Sequence, residues 1–435
     1  MIETLPAPLR RAVSPYTGIV RALDECLHAT TEPPLFQATC DIGRGRALGS
    51  ALDHLTGVGG AGRTRGEAAA AAVGEALERY SGSFVPTDRL VVASARELGD
   101  AAVDPARFAL FSPRQHDCAG FPFRPFTARS RVAWVEGHSL PDGRPAWLPA
   151  ALVFLADLGE EGGDRIGYAT SSGMACSRSV GDALVRSLCE VLERDAFMIV
   201  WANRLSLPRL DWSRDDQLSA LDRTLFAPTG LAYTAIDLSP FHRLPSVLAV
   251  VRAPVGHPGA LGVGAGTAPD LERAWWKALA EAFASRSAGA KLRLVHGGGA
   301  PARDEVLSFD DHIRYHADAG RSRATRFLTA GVASVDATAV PRLEGTSARH
   351  HVAALCRRVE AAGSSAYAVD ITAPDVRELG LSVVKVVAPE LCMLDVPHSA
   401  RFLGGRRLYE AAFTLGLRAR SLREREINPD PHPFP

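Results

Sequence analysis

Lysine is nearly absent from this sequence. Among 435 residues only Lys277, Lys291 and Lys385 occur, and none of them completes the pattern G-x-x-x-x-G-K-[ST]. A P-loop needs that lysine to reach the phosphates of a bound nucleotide. The sequence therefore excludes a P-loop nucleotide site.

Cysteine pairs and long apolar runs are missing as well. The seven cysteines are an odd number and form no C-x-x-C pair, which argues against a disulfide framework and against a zinc ribbon. The N-terminal residues MIETLPAPLRRAV lack the apolar run of a signal peptide. No stretch approaches the roughly 18 apolar residues of a membrane span. We therefore expect a cytoplasmic protein that does not associate with a membrane.

Neither sign of charge is in excess. Lysine and arginine together number 49, as do aspartate and glutamate, so the formal net charge is +0. This balance gives no reason to expect nucleic acid as a partner. Hydrophobic residues make up 46% of the chain, which is ample for a large buried core.

Short apolar runs alternate with long helical patterns along the chain. The run at 132–135 is strand-like, and the runs at 247–251 and 381–387 are rich in β-branched residues and predict buried strands. Strands interleaved with long helices favour an α/β fold built in layers. We predict an N-terminal segment at 1–56, one large domain at 57–427 and a Pro-rich tail at 428–435.

Three segments of the sequence resemble one another. In each, a run of small residues is followed by a Ser or Thr with an acidic residue three positions later, the pattern of a helix cap. We therefore predict a small-residue turn, a cap and a helix in each segment. The segments are Gly57–Gly62 with Thr64 and Glu67, Ser171–Gly173 with Ser179 and Asp182, and Gly262–Gly266 with Thr267 and Asp270.

Glutamates recur at fixed distances from these predicted caps. Glu75 and Glu190 lie eleven residues after their caps, and Glu78, Glu193 and Glu281 lie fourteen after theirs. Residues three apart share one face of a helix, so two helices each offer a carboxylate pair and a third offers one carboxylate. Solvated helix faces are the alternative, but like charges on a mostly apolar helix repel each other. Clustered carboxylates suit Mg²⁺, which bridges to nucleotide phosphates.

Other motifs carry weaker signals. Arg79 and Arg194 directly follow the two Glu pairs and are suited to bind phosphate oxygens. His312 and His316 lack the Glu of a zinc-protease motif, and a surface or core helix explains them. The arginines between 401 and 425 favour a solvated or partner-facing helix.

The C-terminal residues 428–435, NPDPHPFP, alternate prolines with other residues. A disordered tail is one interpretation. The other is a stiff polyproline II-like rod that carries the free carboxylate of Pro435 at low entropic cost. Such a rod would bury little core area, so its removal is expected to leave the melting temperature nearly unchanged.

Taken together, these motifs resemble the YcaO family, in its branch that forms azoline rings in peptides. The similarity extends over nearly the whole chain, and the E-x-x-E-R helices together with the terminal P-x-P-x-P are its most specific part. The matching segments are 57–82, 171–197, 267–286, 369–391 and the prolines Pro431, Pro433 and Pro435.

The resemblance implies a YcaO-type fold around an ATP site without a P-loop, with ATP and Mg²⁺ as cofactors. A substrate Cys, Ser or Thr would attack the preceding amide, whose oxygen is then phosphorylated and leaves, and the carboxylate of Pro435 would act as a base. Glu75, Glu78, Glu190, Glu193 and Glu281 would bind Mg²⁺, whereas Arg79, Ser172, Arg194 and Arg286 would bind ATP.

Some positions depart from the family pattern. Ala61 stands where Lys is frequent, Ser172 where Asn is frequent, and Ala284 and Ser285 where a Gln is common.

The expected partners are a precursor peptide and a separate leader-binding protein that resembles ubiquitin-activating enzymes. The sequence does not decide whether the chain forms a homodimer. There are two alternatives to this function. One is a YcaO enzyme that forms a thioamide or amidine, and the other is a non-catalytic docking scaffold.

Overall fold

The structure is a computed structural model that describes residues 1–27, 32–43, 54–159, 162–254, 259–297 and 299–434. Strands and helices interleave along the chain, which confirms the prediction of an α/β fold. The strands are β1 (Ala22–Glu25), β2 (Phe36–Gly43), β3 (His54–Gly62), β4 (Val91–Ser94), β5 (Arg131–Ser139), β6 (Pro145–Pro149), β7 (Met174–Ser177), β8 (Arg209–Asp211), β9 (Ala232–Asp237), β10 (Ser246–Arg252), β11 (Leu261–Thr267), β12 (Ser334–Asp336), β13 (Tyr367–Asp370) and β14 (Ser382–Val387). The α-helices are α1 (Ala7–Arg11), α2 (Arg65–Ser83), α3 (Ala95–Leu98), α4 (Pro113–His116), α5 (Val180–Asn203), α6 (Asp216–Leu225), α7 (Ser239–His242), α8 (Leu271–Val295), α9 (Phe309–His316), α10 (Ala348–Ala361), α11 (Pro374–Glu378) and α12 (Arg406–Thr414).

The chain divides into two compact units. The first unit comprises Met1–Leu27, Leu35–Val191 and Thr346–Glu390. It contains a three-stranded antiparallel sheet in the order β1-β2-β3 and a six-stranded sheet in the order β4-β5-β13-β14-β7, with β6 paired to β5. Helix α2 packs against β3 and β2 and also contacts β7.

The second unit comprises His28–Pro34, Leu192–Gly345 and Leu391–Pro435. Its five-stranded sheet has the order β11-β10-β9-β8-β12, and α8 packs against β11 and β10. The boundary between the units falls within α5, after Val191. The sequence-based boundaries at 56/57 and 427/428 stay predictions.

The three strands that the sequence predicts are present. Strand β5 contains 132–135, β10 contains 247–251 and β14 contains most of 381–387. Both β10 and β14 lie between two neighbouring strands, where each face is covered, and their residues are almost all buried. Continuous rather than alternating apolar runs are therefore what these positions require.

Among the described residues, no helix combines the length and the apolar character that a membrane crossing needs.

Candidate active site

The three similar sequence segments form three strand–helix pairs: β3 with α2, β7 with α5, and β11 with α8. Two of the glycine-rich runs, which the sequence predicts as turns, are instead strands, and this part of the prediction is wrong. A Cβ atom on Gly60 or Gly62 would lie 2.3 Å or 2.4 Å from a backbone nitrogen of α2, and a Cβ atom on Gly264 would lie 2.4 Å from Ala282 N of α8. The glycines therefore allow each helix to pack directly on the strand backbone.

The predicted caps of the first two helices are confirmed, whereas the third is wrong. Thr64 accepts a hydrogen bond from Glu67 N (3.2 Å) and Ser179 accepts one from Asp182 N (3.1 Å). In the third helix the cap is Asp270, which accepts from Arg273 N at 2.9 Å. The hydroxyl of Thr267 instead lies 2.5 Å from that of Ser246 on the neighbouring strand.

This correction changes how the third helix corresponds to the other two. Glu281 follows its observed cap by eleven residues, as Glu75 and Glu190 follow theirs. Glu281 thus corresponds to the first carboxylate of each pair and not to the second.

Three carboxylates of the first unit interact electrostatically. Burial raises the pKa of Glu78 well above its ordinary value, and the charges of Glu190 and Glu75 raise this pKa further. Arg79 opposes the rise and pairs with Glu75, with 3.1 Å between Nη2 and Oε1. A divalent cation relieves repulsion of this kind, so the oxygen donors present here fit Mg²⁺.

Lys385 lies beside these carboxylates and was missed as a site residue by the sequence reasoning. Its buried Nζ donates to the carbonyl oxygens of Thr170 (2.7 Å) and Ser172 (2.6 Å). Burial lowers the pKa of Lys385 to about 8, although Glu190 and Glu78 oppose this change. The available signal was a single lysine inside the apolar run of β14, in a chain with only three lysines. Ser172, predicted to bind ATP, is thus held by its backbone carbonyl.

The second unit holds a further pair of carboxylates. Glu193 is fully buried, and both of its oxygens lie 3.2 Å from Lys277 Nζ. Burial raises the pKa of Glu281 to about 7, the charge of Glu193 adds to the rise, and Arg194 and Lys277 oppose it. The backbone N–H of Ala265 on β11 donates to Glu281 at 2.8 Å, which fixes this side chain against the strand. These oxygens likewise fit a divalent cation.

Two of the predicted phosphate-binding arginines carry buried donors. The Nε atoms of Arg79 and Arg286 are buried and make no hydrogen bond to any described residue. Arg286 forms an ion pair with Glu32, and burial lowers the pKa of Arg286. Unused guanidinium donors are suited to phosphate oxygens.

Asp195, which follows the second E-x-x-E-R motif, is the centre of a buried polar network. It pairs with Arg407 Nε (2.8 Å) and His242 Nε2 (3.0 Å) and accepts from Cys392 N (2.9 Å). Burial acts to raise the pKa of Asp195, but Arg407 and His242 outweigh it and hold this pKa well below its ordinary range. Arg407 is largely buried, so the prediction of a solvated or partner-facing position is wrong for this arginine. Arg406, Arg420, Arg423 and Arg425 of the same run are exposed. The network fixes α5 at the turn that carries Glu193 and Arg194.

The C-terminal tail is packed into the second unit. Phe434 is fully buried, and its ring centroid lies 4.8 Å from that of Phe197. The guanidinium carbon of Arg194 lies 4.0 Å from the centroid of the Phe434 ring. The interpretation as a disordered tail is therefore wrong for residues 428–434, and so is the expectation that the tail buries little area. Pro435, the predicted catalytic residue, lies outside the described residues.

Five successive backbone carbonyls of the tail, those of residues 428 to 432, each contact a donor of a different side chain. We call the five side chains that supply these donors, and not the carbonyls themselves, the carbonyl ladder. The donors, in the order of the carbonyls, are Arg401 Nη1 (2.7 Å), His398 Nε2 (3.0 Å), Trp201 Nε1 (3.1 Å), His316 Nε2 (2.7 Å) and His312 Nδ1 (2.8 Å).

The ladder explains the two histidines that the sequence assigned to a surface or core helix. His312 and His316 are buried on α9, and their ring nitrogens bind the tail. His312, His432 and Asp395 have potential metal-ligating atoms within 4.8 Å of one another. However, the rings of His312 and His432 are stacked at 3.9 Å, both nitrogens of His312 face backbone carbonyl oxygens, and His432 has its Nε2 2.8 Å from Asp395 O while its Nδ1 accepts from Phe434 N. These residues therefore serve packing of the tail.

The chain is similar in sequence to a known family and to a protein of another organism. A family model described as YcaO cyclodehydratase, ATP- and Mg²⁺-binding, matches residues 59–392. An uncharacterized protein of Methanothermobacter thermautotrophicus is 26% identical over 341 residues, which is 78% of this chain and 82% of that protein.

Two solved structures share the fold. A heterocyclase in complex with substrate and cofactor has a TM-score of 0.77 and 24% identity, with 99% of this chain covered. This chain covers 57% of that heterocyclase and so spans little more than half of its length. The YcaO protein from Methanopyrus kandleri, bound with AMPPCP and Mg²⁺, has a TM-score of 0.61 and 21% identity, with 86% of each chain covered.

Proposed function

Because the chain belongs to the YcaO family, we propose that it is an ATP-dependent cyclodehydratase that converts Cys, Ser or Thr residues of a ribosomally made precursor peptide to thiazoline or oxazoline rings. ATP and Mg²⁺ are its cofactors, since the family model that matches residues 59–392 describes an ATP- and Mg²⁺-binding family. The observation that carries the proposal is the placement of Glu78: burial raises its pKa, the charges of Glu190 and Glu75 raise this pKa further, and bound Mg²⁺ would relieve that repulsion.

In this proposal the carboxylates of both units are metal ligands. Glu75, Glu78 and Glu190 of the first unit and Glu193 and Glu281 of the second would each offer oxygens to Mg²⁺ ions that also bind nucleotide phosphates. Lys277 satisfies both oxygens of Glu193 in the structure. Lys277 would therefore share Glu193 with a metal ion.

The ATP contacts would come from Arg79, Arg194, Arg286 and Ser172. The planar guanidinium group matches the geometry of phosphate oxygens and binds them with two parallel hydrogen bonds. Arg286 would exchange Glu32 for phosphate. Ser172 lies on a loop whose backbone is held by Lys385, so the position of Ser172 is set independently of the serine side chain.

ATP would supply the phosphoryl group that turns the amide oxygen of the substrate into a good leaving group. The arginines of the site would stabilise the negative charge that develops on the oxygen. The carboxylate of Pro435 would accept and return protons as a general base. Support for this last role comes from Phe434, which brings the residue before Pro435 to Arg194.

The partners are part of the proposal. The solved heterocyclase that this chain matches is described with its substrate and is nearly twice as long. We propose that a separate leader-binding protein, similar to ubiquitin-activating enzymes, presents the precursor peptide to this chain. On this proposal the purified chain processes the precursor slowly, and adding the partner increases turnover.

The test of the metal site replaces one carboxylate in each unit. The variants Glu78→Gln and Glu193→Gln should each lose most ATP hydrolysis and most ring formation, because each removes a charge that holds Mg²⁺. ATP consumption and the loss of water from the precursor, followed by mass spectrometry, measure the two effects.

Glu410→Gln is the matched control, since Glu410 lies on α12 and is paired with the exposed Arg406. This variant should behave as the wild type does. Wild-type turnover by the double variant Glu78→Gln/Glu193→Gln would contradict the assignment of the metal ligands. Retained ATP hydrolysis without water loss from any peptide would contradict cyclodehydration.

A further inference from the structure

The tail has few backbone donors with which to fix its own position. Pro429, Pro431 and Pro433 have no backbone N–H group, and an extended chain of this kind forms no backbone-to-backbone hydrogen bonds within itself. The carbonyl oxygens of such a segment point outward and need donors from elsewhere. The carbonyl ladder supplies one donor to each carbonyl from 428 to 432.

The start of the tail is anchored as well. Asn428 N donates to Ala202 O at 2.9 Å, at the end of α5. The side chain of Asp430 accepts from Tyr315 Oη at 3.0 Å and pairs with Arg303 at 2.6 Å. The tail thus has a single register, because a shift by one residue would misplace every one of these contacts.

The donors themselves are held rigidly. His312 lies between two carbonyl oxygens, with its Nε2 2.8 Å from Val396 O, and its ring stacks on that of His432 with 3.9 Å between the centroids. The ring of His316 packs edge-on against Trp201, with 5.6 Å between the centroids. Both histidines are nearly inaccessible to solvent. Buried donors in fixed rotamers determine position more tightly than exposed, mobile ones.

We propose that the carbonyl ladder consists of positioning residues that set how far the chain end reaches beyond residue 432. This inference rests on the proposed role of the Pro435 carboxylate. The ladder holds residues 428–432, and burial of Phe434 against Phe197 holds the described end of the tail. His312 and His316, nearest to the chain end, are the main determinants.

The first experiment compares two variants of one ladder residue. His316→Leu removes the donor to Pro431 O, whereas His316→Gln keeps an N–H group at a similar reach. For His316→Leu, kcat of ring formation should fall on the order of 100-fold, as for a misplacement of about 1 Å, with the KM for ATP unchanged. His316→Gln should recover most of the activity, and His296→Leu, at an exposed histidine, should leave it unchanged.

A second readout does not depend on the reaction. Hydrogen–deuterium exchange at the amides of Asp430, His432 and Phe434 should be slow in the wild type and in His316→Gln. The same amides should exchange faster in His316→Leu. Equal protection in all variants, together with wild-type kcat in His316→Leu, would overturn the proposal.

A third experiment inserts one residue either within the tail or before the tail begins. One residue inserted after His432 displaces the chain end by about 3 Å and should abolish ring formation. One glycine inserted after Gly416, in an exposed turn before the tail, should leave ring formation unchanged because the tail keeps its register on the ladder. Equal activity of both insertions would show that the ladder does not set the reach, even if the histidine variants fail to fold.

The failure of this inference can be told apart from failure of the proposed function. If deletion of residues 431–435 leaves ring formation at the wild-type rate, the catalytic role of the chain end is wrong. If the deletion abolishes ring formation but His316→Leu and the insertion after His432 keep full kcat, only the ladder is wrong.

Discussion

At the scale of single residues, burial determines the protonation of ionisable groups around the tail. Burial raises the pKa of Asp395 to about 7, and Arg401 opposes this rise. Burial lowers the pKa of His316 to about 4, although its hydrogen bond to Pro431 O opposes the fall. Both shifts favour the neutral form, since the protein interior solvates charge poorly. The packing of the tail therefore depends on pH in two ways. A higher pH favours loss of the proton of buried Asp395, and a lower pH favours a charged His316.

The variant Asp395→Asn should gain stability relative to the wild type as the pH rises. The pKa of Asp395 is higher in the folded state, about 7, than its ordinary value of 3.8. The stability that this group contributes is therefore complete at low pH and is lost as the pH rises through about 7. Asparagine does not titrate, so the difference in melting temperature should shift toward the variant between about pH 5 and about pH 8.

The control is Asp100→Asn, at an exposed position. Its melting temperature should follow that of the wild type at both pH values. A difference between Asp395→Asn and the wild type that stays constant with pH would show that Asp395 is not buried as a neutral acid.

At the scale of elements, two features decide the packing: glycines of the strands that contact helices, and the burial of the tail. The glycines let α8 pack so closely on β11 that a Cβ atom on Gly264 would lie 2.4 Å from Ala282 N. In the buried tail, side-chain donors bind the backbone carbonyls that a neighbouring strand would bind in a sheet. Both are contacts between backbone and a neighbouring element, and substitutions test each of them.

Gly264→Ala should strongly destabilise the second unit. Its Cβ would lie 2.4 Å from Ala282 N and 2.6 Å from Ala278 O, and backbone atoms cannot move aside as a flexible side chain can. Gly74→Ala on α2 is the matched control, since a Cβ there would have no neighbour within 4 Å among the described residues. That variant should gain about 0.5–1 kcal/mol from the higher helix propensity of alanine. Denaturant unfolding of both variants measures the contrast, and equal effects would contradict the close packing.

Phe434→Ala should lower the free energy of unfolding by about 3–5 kcal/mol, the usual cost of removing a buried aromatic side chain. Phe434 is fully buried among residues of the main core of the second unit. The same substitution at Phe413, which is 50% exposed on α12, is the control and should cost far less. Similar costs for both would mean that the tail does not pack as the structure has it. A large cost for Phe434→Ala would also contradict the expectation that removal of the tail leaves the melting temperature nearly unchanged.

At the scale of the whole molecule, the proposed metal ligands are divided between the two units. Glu75, Glu78 and Glu190 belong to the first unit, and Glu193 and Glu281 to the second. Helix α2 contributes its carboxylates to the first unit and α8 contributes one to the second, whereas α5 crosses the boundary after Val191 and contributes to both. Two of the strand–helix pairs, β3–α2 and β11–α8, belong to different units and have the same arrangement of glycines facing the helix. One local solution is thus used twice.

The sequence by itself determined the features that depend on near neighbours. The caps at Thr64 and Ser179 follow from hydrogen bonds across three residues, and the spacing of the Glu pairs follows from the helical period. The strands at β10 and β14 follow from continuous apolar runs. The family resemblance rests on the same local motifs, which is why the amino-acid sequence alone reveals it.

Only the tertiary structure decided the features that depend on distant residues. His316 and Pro431 are 115 residues apart, and Arg407 and Asp195 are 212 apart, so no local pattern reveals either contact. Thr267 satisfied the sequence rule for a cap, but a neighbouring strand offered its hydroxyl another partner, Ser246. Burial of Phe434 and Lys385 likewise depends on what surrounds them. Pairing and burial are properties of the assembled fold, whereas periodicity and capping are properties of the adjacent chain.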